Sequence, residues 1–320
     1  MAELRWNPIQ GQWIIVAAHR RNRPHRPKEW CPFCPGSGKV PDGYDVYAYP
    51  NDFPSLMENP PEPDVESSPI SPVDTLRGAC EVILYSPEHE ATLADLHLDH
   101  LRKLIDLWRE RYETLGSKDF VNYVLIFENR GDVIGVTITH PHGQIYAYPF
   151  VPPRPQRELA NEEKYWVDRG RCLCCDIIDS EKDNGRRIIV DNPHFIAFVP
   201  FFAAYPYEVH LYPKRHLQSL SDLTSEEANS FAKTLKAVVR KYDNLFDMTF
   251  PYMMIFSQKP TDGGAYLYHH FRVEFYPPLM DEKNIRYIAG GETGSGVQVN
   301  PTDIEAKARE LRLGAPEKSE

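Results

Sequence analysis

The sequence predicts an α+β protein made of two related halves, residues 1–155 and 156–320, each a sheet with flanking helices. The first observation is a repeated order: a cysteine pair, a strand, a Pro-containing turn ending in His, an amphipathic helix, a strand and a His-led strand. The second is similar spacing in the two halves. His140 follows His89 by 51 residues, and His270 follows His216 by 54. The third is that helical and strand apolar periodicities alternate in both halves. If His140 corresponds to His270, then His142 corresponds to Arg272 and Gln144 to Glu274. The second copy then keeps one candidate metal ligand and lacks a second histidine.

Taken in order, residues 5–8 and 13–17 read as two strands about a turn at Gln10, Gly11 and Gln12. The run His19-Arg20-Arg21-Asn22-Arg23-Pro24 is a basic cluster in an acidic chain, and Arg presents a planar fork suited to oxyanions. Cys31-Pro32-Phe33-Cys34 brings two thiols round a tight turn. Asn51-Asp52-Phe53-Pro54 follows a Tyr-rich strand and offers ribose or base contacts. Residues 58–74, rich in Pro, Glu and Ser, read as an exposed loop. A strand over 82–85 leads to Ser86-Pro87-Glu88-His89. Leu98, Leu101, Leu104, Ile105, Trp108 and Tyr112 recur at helical spacing, and Gly116 closes that helix. A strand over 121–127 runs into Glu128-Asn129-Arg130-Gly131.

In the second half a charged helix covers about 157–167, and Cys172 and Cys175 form a second cysteine turn. Strands follow over 188–190, 195–199 and 209–212, the last running into Pro213-Lys214-Arg215-His216. Thr224 and Glu227 form a capping box that opens a helix lined by Phe231, Leu235, Val238, Val239 and Tyr242. Strands over 250–256 and 269–276 complete the copy.

The centre of the first half is Thr139-His140-Pro141-His142-Gly143-Gln144. Residues two apart in a strand share a face, which places His140, His142 and Gln144 on one side. Two imidazoles and an amide suit a phosphate: one ring attacks phosphorus while its neighbours fix orientation and hold oxygens. Gly143 leaves room for a ligand to approach the backbone.

A net charge of -10 excludes a general nucleic-acid backbone binder. The N-terminus has no apolar signal region and no run approaches 18 apolar residues, so the chain is expected to be cytoplasmic and not in the membrane. In that setting paired cysteines point to metal before disulfide. Cys31, Cys34, His89 and His140 make a two-cysteine, two-histidine set, and Cys172, Cys175, His216 and His270 make a second. Zinc favours four such ligands in a tetrahedron, and a filled shell implies a structural role. Two zinc ions per chain are expected. Cys80 and Cys174 remain as packed thiols.

These motifs together resemble the galactose-1-phosphate uridylyltransferases of the histidine-triad superfamily. The resemblance rests on Glu128 to Gln144, the His19 to Pro24 cluster, the first cysteine turn, Asn51-Asp52-Phe53, Ser86 to His89, Tyr205-Pro206-Tyr207-Glu208 and Phe275-Tyr276-Pro277-Pro278. It implies two histidine-triad-like repeats, the second degenerate, and a double displacement. UDP-glucose gives its uridylyl group to a histidine, and a hexose 1-phosphate takes it. By match to the motif, His142 is the nucleophile and Gln144 bonds the phosphoryl oxygen. Arg20, Arg23 and Thr137 match positions near the phosphates, and Asn51, Asp52 and Asn129 match nucleotide contacts. The resemblance also implies a homodimer in which one subunit's Arg286, Tyr287, Glu292 and Gln298 reach the other's sugar site; Gly291 stands where a Tyr is often found. Some members hold iron in the second half. Glu158 matches that site, but Ser257, Arg272 and Glu274 replace histidines, so no iron site is expected.

The second cysteine set and the Gly-rich run 290–296 also resemble ADP-glucose phosphorylases, an adenylyl-transferring alternative, whereas Gly143 favours the uridylyl branch. A zinc-stabilised nucleotide-binding protein without turnover is the reading from another class. The intact His142 and Gln144 argue against it, because a pure binder needs no attacking imidazole.

Overall fold

The computed structural model describes residues 2–22 and 30–314. Arg23 lies outside them. The main sheet has nine strands, all antiparallel to their neighbours. They are β3 (Tyr47–Pro50), β5 (Ala79–Leu84), β6 (Tyr123–Arg130), β7 (His142–Tyr148), β8 (Ile188–Asp191), β9 (Phe195–Phe198), β10 (Val209–Pro213), β11 (Tyr252–Ser257) and β12 (Arg272–Tyr276). A small second sheet joins β1 (Ala2–Asn7), β2 (Gln12–Ala17) and β4 (Val73–Thr75). Its hairpin registers Trp6 against Trp13, and Gly11 in the turn has φ 64°, where a side chain would be strained.

The sheet order carries the duplication. It reads β3-β5-β7-β6-β11-β12-β10-β9-β8. The first-half order β3-β5-β7-β6 reappears as β9-β10-β12-β11 when read inward from the far side, with β8 added outside it as the edge strand. The halves join where β6 pairs with β11, with Arg130 opposite Tyr252. The registers agree with the expected pairing: Val82 lies opposite Gln144, and His210 opposite Glu274.

Helices α1 (Leu98–Gly116) and α4 (Ser225–Leu245) occupy equivalent places between strands and pack on the same core. On α1, Leu101, Leu104, Ile105 and Trp108 are fully buried. Each such side chain contributes about 1.5–3 kcal/mol through removal of apolar area from water. The Thr224–Glu227 capping box opens α4, with Thr224 Oγ1 accepting from the Glu227 amide at 3.2 Å. Gly116 is the last residue of α1 but does not close it in a left-handed conformation; Ser117, at φ -81°, caps it. Gly116 is instead a close approach, since a Cβ there would meet Thr261 Cγ2 at 2.6 Å.

Four further helices are α2 (Pro153–Arg169), α3 (Leu173–Asn184), α5 (Gly290–Ser295) and α6 (Ile304–Leu313). The second cysteine pair is not a turn like the first. Cys172 is the N-cap of α3 and Cys175 lies in its first turn. A helix start also brings residues three apart to one side, so the spacing served both conformations.

Candidate active site

Strand β7 begins at His142, after the bend at His140 and Pro141. His140 therefore does not share the strand face with His142 and Gln144. On β7, Ile145 and Ala147 turn into the helix-covered core, which leaves His142, Gln144 and Tyr146 on the opposite face. The His142 Nδ1–H donates to the His140 carbonyl at 2.8 Å. That bond fixes the tautomer and leaves the lone pair on Nε2, the form an attacking imidazole needs.

His142 lines two clefts. One, of about 370 Å³, is walled by Trp30, Phe33, Tyr49, Asn51, Asp52, Phe53, Val82, Ile138 and Gln144. The other, of about 440 Å³, is walled by His89, Glu128, Asn129, Arg130 and the 138–142 segment. The ring thus stands where an apolar, aromatic slot meets a more polar one. Asp52 accepts from Tyr49 Oη at 3.0 Å and lies near Lys39. The Asn51 Oδ1 accepts from the Phe53 amide, which holds the loop that carries both residues.

His140 faces elsewhere. Its Nε2–H donates to the Ser86 carbonyl at 2.8 Å, with Tyr44 Oη also at 2.9 Å, so Nδ1 is the acceptor nitrogen and lies 3.6 Å from Cys34 Sγ. His89 Nδ1 is 3.4 Å from the same sulfur, and its Nε2 meets Thr139 Oγ1 at 3.0 Å. The second set repeats this. His270 Nε2–H donates to the Pro213 carbonyl at 3.0 Å while its Nδ1 lies 3.5 Å from Cys175 Sγ and 3.7 Å from Cys172 Sγ; His216 Nδ1 lies 3.6 Å from Cys175 Sγ. In each set the four ligand atoms lie within 4.8 Å of one another. Edges of a zinc tetrahedron with bonds of about 2.0–2.3 Å come to about 3.3–3.8 Å, so both sets fit that ion. The Ser86 and Pro213 carbonyls that accept from His140 and His270 fix which ring nitrogen is left to ligate, as metal-binding histidines require. Burial, reinforced by the adjacent Cys31, pushes the Cys34 thiol up to about 11, and a bound cation is what would hold it as thiolate.

Other expected site residues fall into two groups. Asn129 lines the polar cleft with His142. Arg20 lies outside the described walls of both clefts; its guanidinium donates to the Phe53 carbonyl, Ser55 Oγ and Tyr146 Oη, tying the 51–55 loop to β7. Thr137 is buried with its hydroxyl unpartnered. Arg286, Glu292 and Gln298 come together, with Arg286 donating to both and to the Val299 carbonyl, but they do not line either His142 cleft. Tyr287 is 75% exposed.

The sequence reading missed Tyr44, Tyr85 and the aromatic wall of Trp30 and Phe33. Tyr44 Oη also donates to the Phe33 carbonyl at 2.7 Å. Only the position of Phe33 between the two cysteines hinted at its place. Gly143 has a different role from the one expected. A Cβ there would meet Tyr85 Oη at 2.3 Å, so its open side is filled from the core rather than by a ligand.

Two family models match nearly the whole chain: the galactose-1-phosphate uridyl transferase N-terminal domain over residues 1–152 and its C-terminal domain over 158–309. The galactose-1-phosphate uridylyltransferase of Thermotoga maritima is 41% identical over 314 residues, covering 98% of both chains. The chain belongs to the galactose-1-phosphate uridylyltransferase family. The enzyme of that name from Rattus norvegicus is 32% identical over 330 residues, covering 96% of this chain and 86% of the other. A solved uridylyltransferase structure superimposes with a TM-score of 0.88 at 35% identity, over 98% of each chain. An ADP-glucose phosphorylase from Arabidopsis thaliana, solved with ADP-glucose, gives 0.75 at 25% identity over 98% of each. The uridylyltransferase members are thus nearer in both sequence and shape. No described helix is long and apolar enough to cross a membrane.

Proposed function

We propose that the chain is a galactose-1-phosphate uridylyltransferase working by double displacement through His142. One observation carries the reading: the imidazole, with its Nδ1 proton fixed on the His140 carbonyl, stands at the junction of the two clefts. The uridine of UDP-glucose lies in the aromatic slot with Asn51 and Asp52, and the hexose phosphate in the polar cleft beside Asn129. The Nε2 lone pair forms a bond to the α-phosphorus. The bond from that phosphorus to the bridging oxygen breaks, and glucose 1-phosphate leaves with the electron pair. A phosphate oxygen of galactose 1-phosphate then attacks the same phosphorus, giving UDP-galactose and restoring the imidazole. Gln144 donates to the phosphoryl oxygen in the intermediate, where a fixed donor stabilises charge as it develops. Arg20 and Arg23 serve the phosphate region from the basic segment, Arg20 by holding the 51–55 loop, and Thr137 stands beside it.

Residues 1–155 carry the chemistry in this reading, and 156–320 form the degenerate half. Each half holds one zinc ion, the first on Cys31, Cys34, His89 and His140 and the second on Cys172, Cys175, His216 and His270. Bound zinc would cross-link the four side chains of each set, and in the first set it would tie the turn bearing Phe33 to the bend before His142. The protein acts as a cytoplasmic homodimer, and Arg286, Tyr287, Glu292 and Gln298 serve the partner's cleft. The exposure of Tyr287, Ile288, Val297 and Val299 on that segment supports this.

Weighing the intact protein after incubation with UDP-glucose or ADP-glucose tests the reading. A UMP adduct that His142→Ala abolishes is expected. An AMP adduct alone would favour the phosphorylase chemistry, and no adduct would reduce the protein to a binder.

A further inference from the structure

Tyr85 touches the chain on both sides of the nucleophile. Its backbone N–H donates to the Pro141 carbonyl at 3.0 Å. Its hydroxyl lies under Gly143, where a Cβ would come within 2.3 Å. One residue thus contacts the chain on both sides of His142, its backbone bonding Pro141 and its hydroxyl packing under Gly143. That phenol is itself fixed. It meets Glu128 Oε2 at 3.3 Å, while Glu128 Oε1 accepts from Tyr252 Oη at 3.3 Å. Trp108 of α1 packs edge-on behind the Tyr85 ring, with centroids 5.6 Å apart. Tyr85, Tyr252 and Trp108 are at most 1% exposed, so none of them can swing aside into solvent.

Glu128 is an unusual choice for this place. Its hydrogen-bond partners are two phenols; the Arg130 guanidinium acts on it as a nearby charge but makes its own bonds to Asp243. A buried carboxyl is costly unless it is bonded, so apolar packing alone would favour a hydrocarbon here. What the carboxyl provides is direction: one acceptor for each phenol, which sets where the Tyr85 hydroxyl sits beneath β7.

We propose that Tyr85 and Glu128 form a bracket that positions His142 for attack, acting on kcat rather than on substrate affinity. This rests on His142 being the nucleophile. Tyr85 and Glu128 also stand in the wall of the polar cleft, but they are positioning residues here because their contacts reach His142 through the backbone at Pro141 and Gly143. A displacement of the order of 1 Å in an attacking group can cost about a hundredfold in rate, so a partial loosening corresponds to about tenfold.

The test measures uridylyl transfer to His142 in single turnover, with zinc content and thermal melting followed alongside. Tyr85→Phe and Glu128→Leu should each slow transfer about tenfold at saturating UDP-glucose, with KM within twofold of the parent. Glu128→Gln, which keeps the shape and one acceptor, should recover to within about threefold. The double variant Tyr85→Phe/Glu128→Leu should be no slower than the worse single, because residues acting as one unit are non-additive. Unchanged rates in folded variants, a rise in KM at constant kcat, or multiplied losses in the double would each overturn the bracket. Failure of the parent protein to form any adduct would instead overturn the nucleophile assignment.

Discussion

Replacing Gly143 by Ala should destabilise the protein although it adds only one methyl group. The new Cβ would lie 2.3 Å from Tyr85 Oη, 3.0 Å from its Cζ and 3.1 Å from the Phe127 carbonyl oxygen. Ordinary contact needs about 3.4 Å or more, so something must move by about 1 Å. The Tyr85 ring is closed in by Trp108 and its hydroxyl is held by Glu128, while Phe127 belongs to a strand paired on both edges. Overpacking of this kind costs typically about 1–3 kcal/mol. The assay is urea unfolding of Gly143→Ala, Tyr85→Phe and the double variant. Removing the hydroxyl leaves contacts at 3.0 Å and beyond, so the Ala penalty should shrink in the Phe background by about half or more. Equal penalties in both backgrounds would refute the steric account, and a Gly143→Ala protein as stable as its parent would refute the close approach itself.

Three other outcomes follow from the same geometry. Burial pushes the Glu128 carboxyl up to about 7 from an ordinary 4.5. The folded state then holds that proton more tightly than the unfolded chain, so stability present below about pH 4.5 is lost as pH rises through 7. The loss amounts to about 3 kcal/mol, and Glu128→Gln should remove it; unfolding curves of the two proteins that stay parallel between pH 5 and 8 would contradict this. Arg272→Met should cost about 3–5 kcal/mol in urea unfolding, because Glu158, Glu162 and Glu274 lose their shared buried cation; a loss under 1 kcal/mol would show that the cluster is dispensable. Cys175→Ser and Cys34→Ser should each lower zinc from two ions per chain to one by elemental analysis, and Cys34→Ser should also raise KM for UDP-glucose because Phe33 rides on that turn; zinc contents equal to the parent's would exclude both sets as assigned.

Much of this was readable because the chemistry sits at fixed spacings. The two metal sets, the Thr224 cap and the repeated strand-helix order each follow from residue type and interval alone. Two errors show where that stops. A strand period applied through Pro141 aligned His140 with His142, but Pro supplies no ladder donor, and the strand starts after it. Spacing also cannot separate a tight turn from a helix start, which is why Cys172 and Cys175 read as a second cysteine turn where α3 in fact begins. The Tyr85 hydroxyl under Gly143 joins positions 58 residues apart, a contact that no local pattern encodes. The same holds for the 286–299 segment, whose Arg286, Glu292 and Gln298 satisfy one another.

The two halves carry different side-chain chemistry at corresponding positions of one register. Where the first half has His142 and Gln144 beside a cleft, the second has Arg272 and Glu274, bonded to each other within a ring of Glu158, Glu162 and Arg154. A guanidinium there cannot act as a nucleophile, and its donors are already taken by carboxylates. Its partner Glu274 is held far below the ordinary carboxylate range by the neighbouring Arg272, His210 and Arg154 against the opposing effect of burial. The second half could not simply be deleted, however. β11 supplies the hydrogen-bonding edge for β6, and Tyr252 on β11 supplies one of the two phenols on Glu128. The second half therefore braces the first through the shared sheet, although Arg272 and Glu274 stand where the first half has His142 and Gln144.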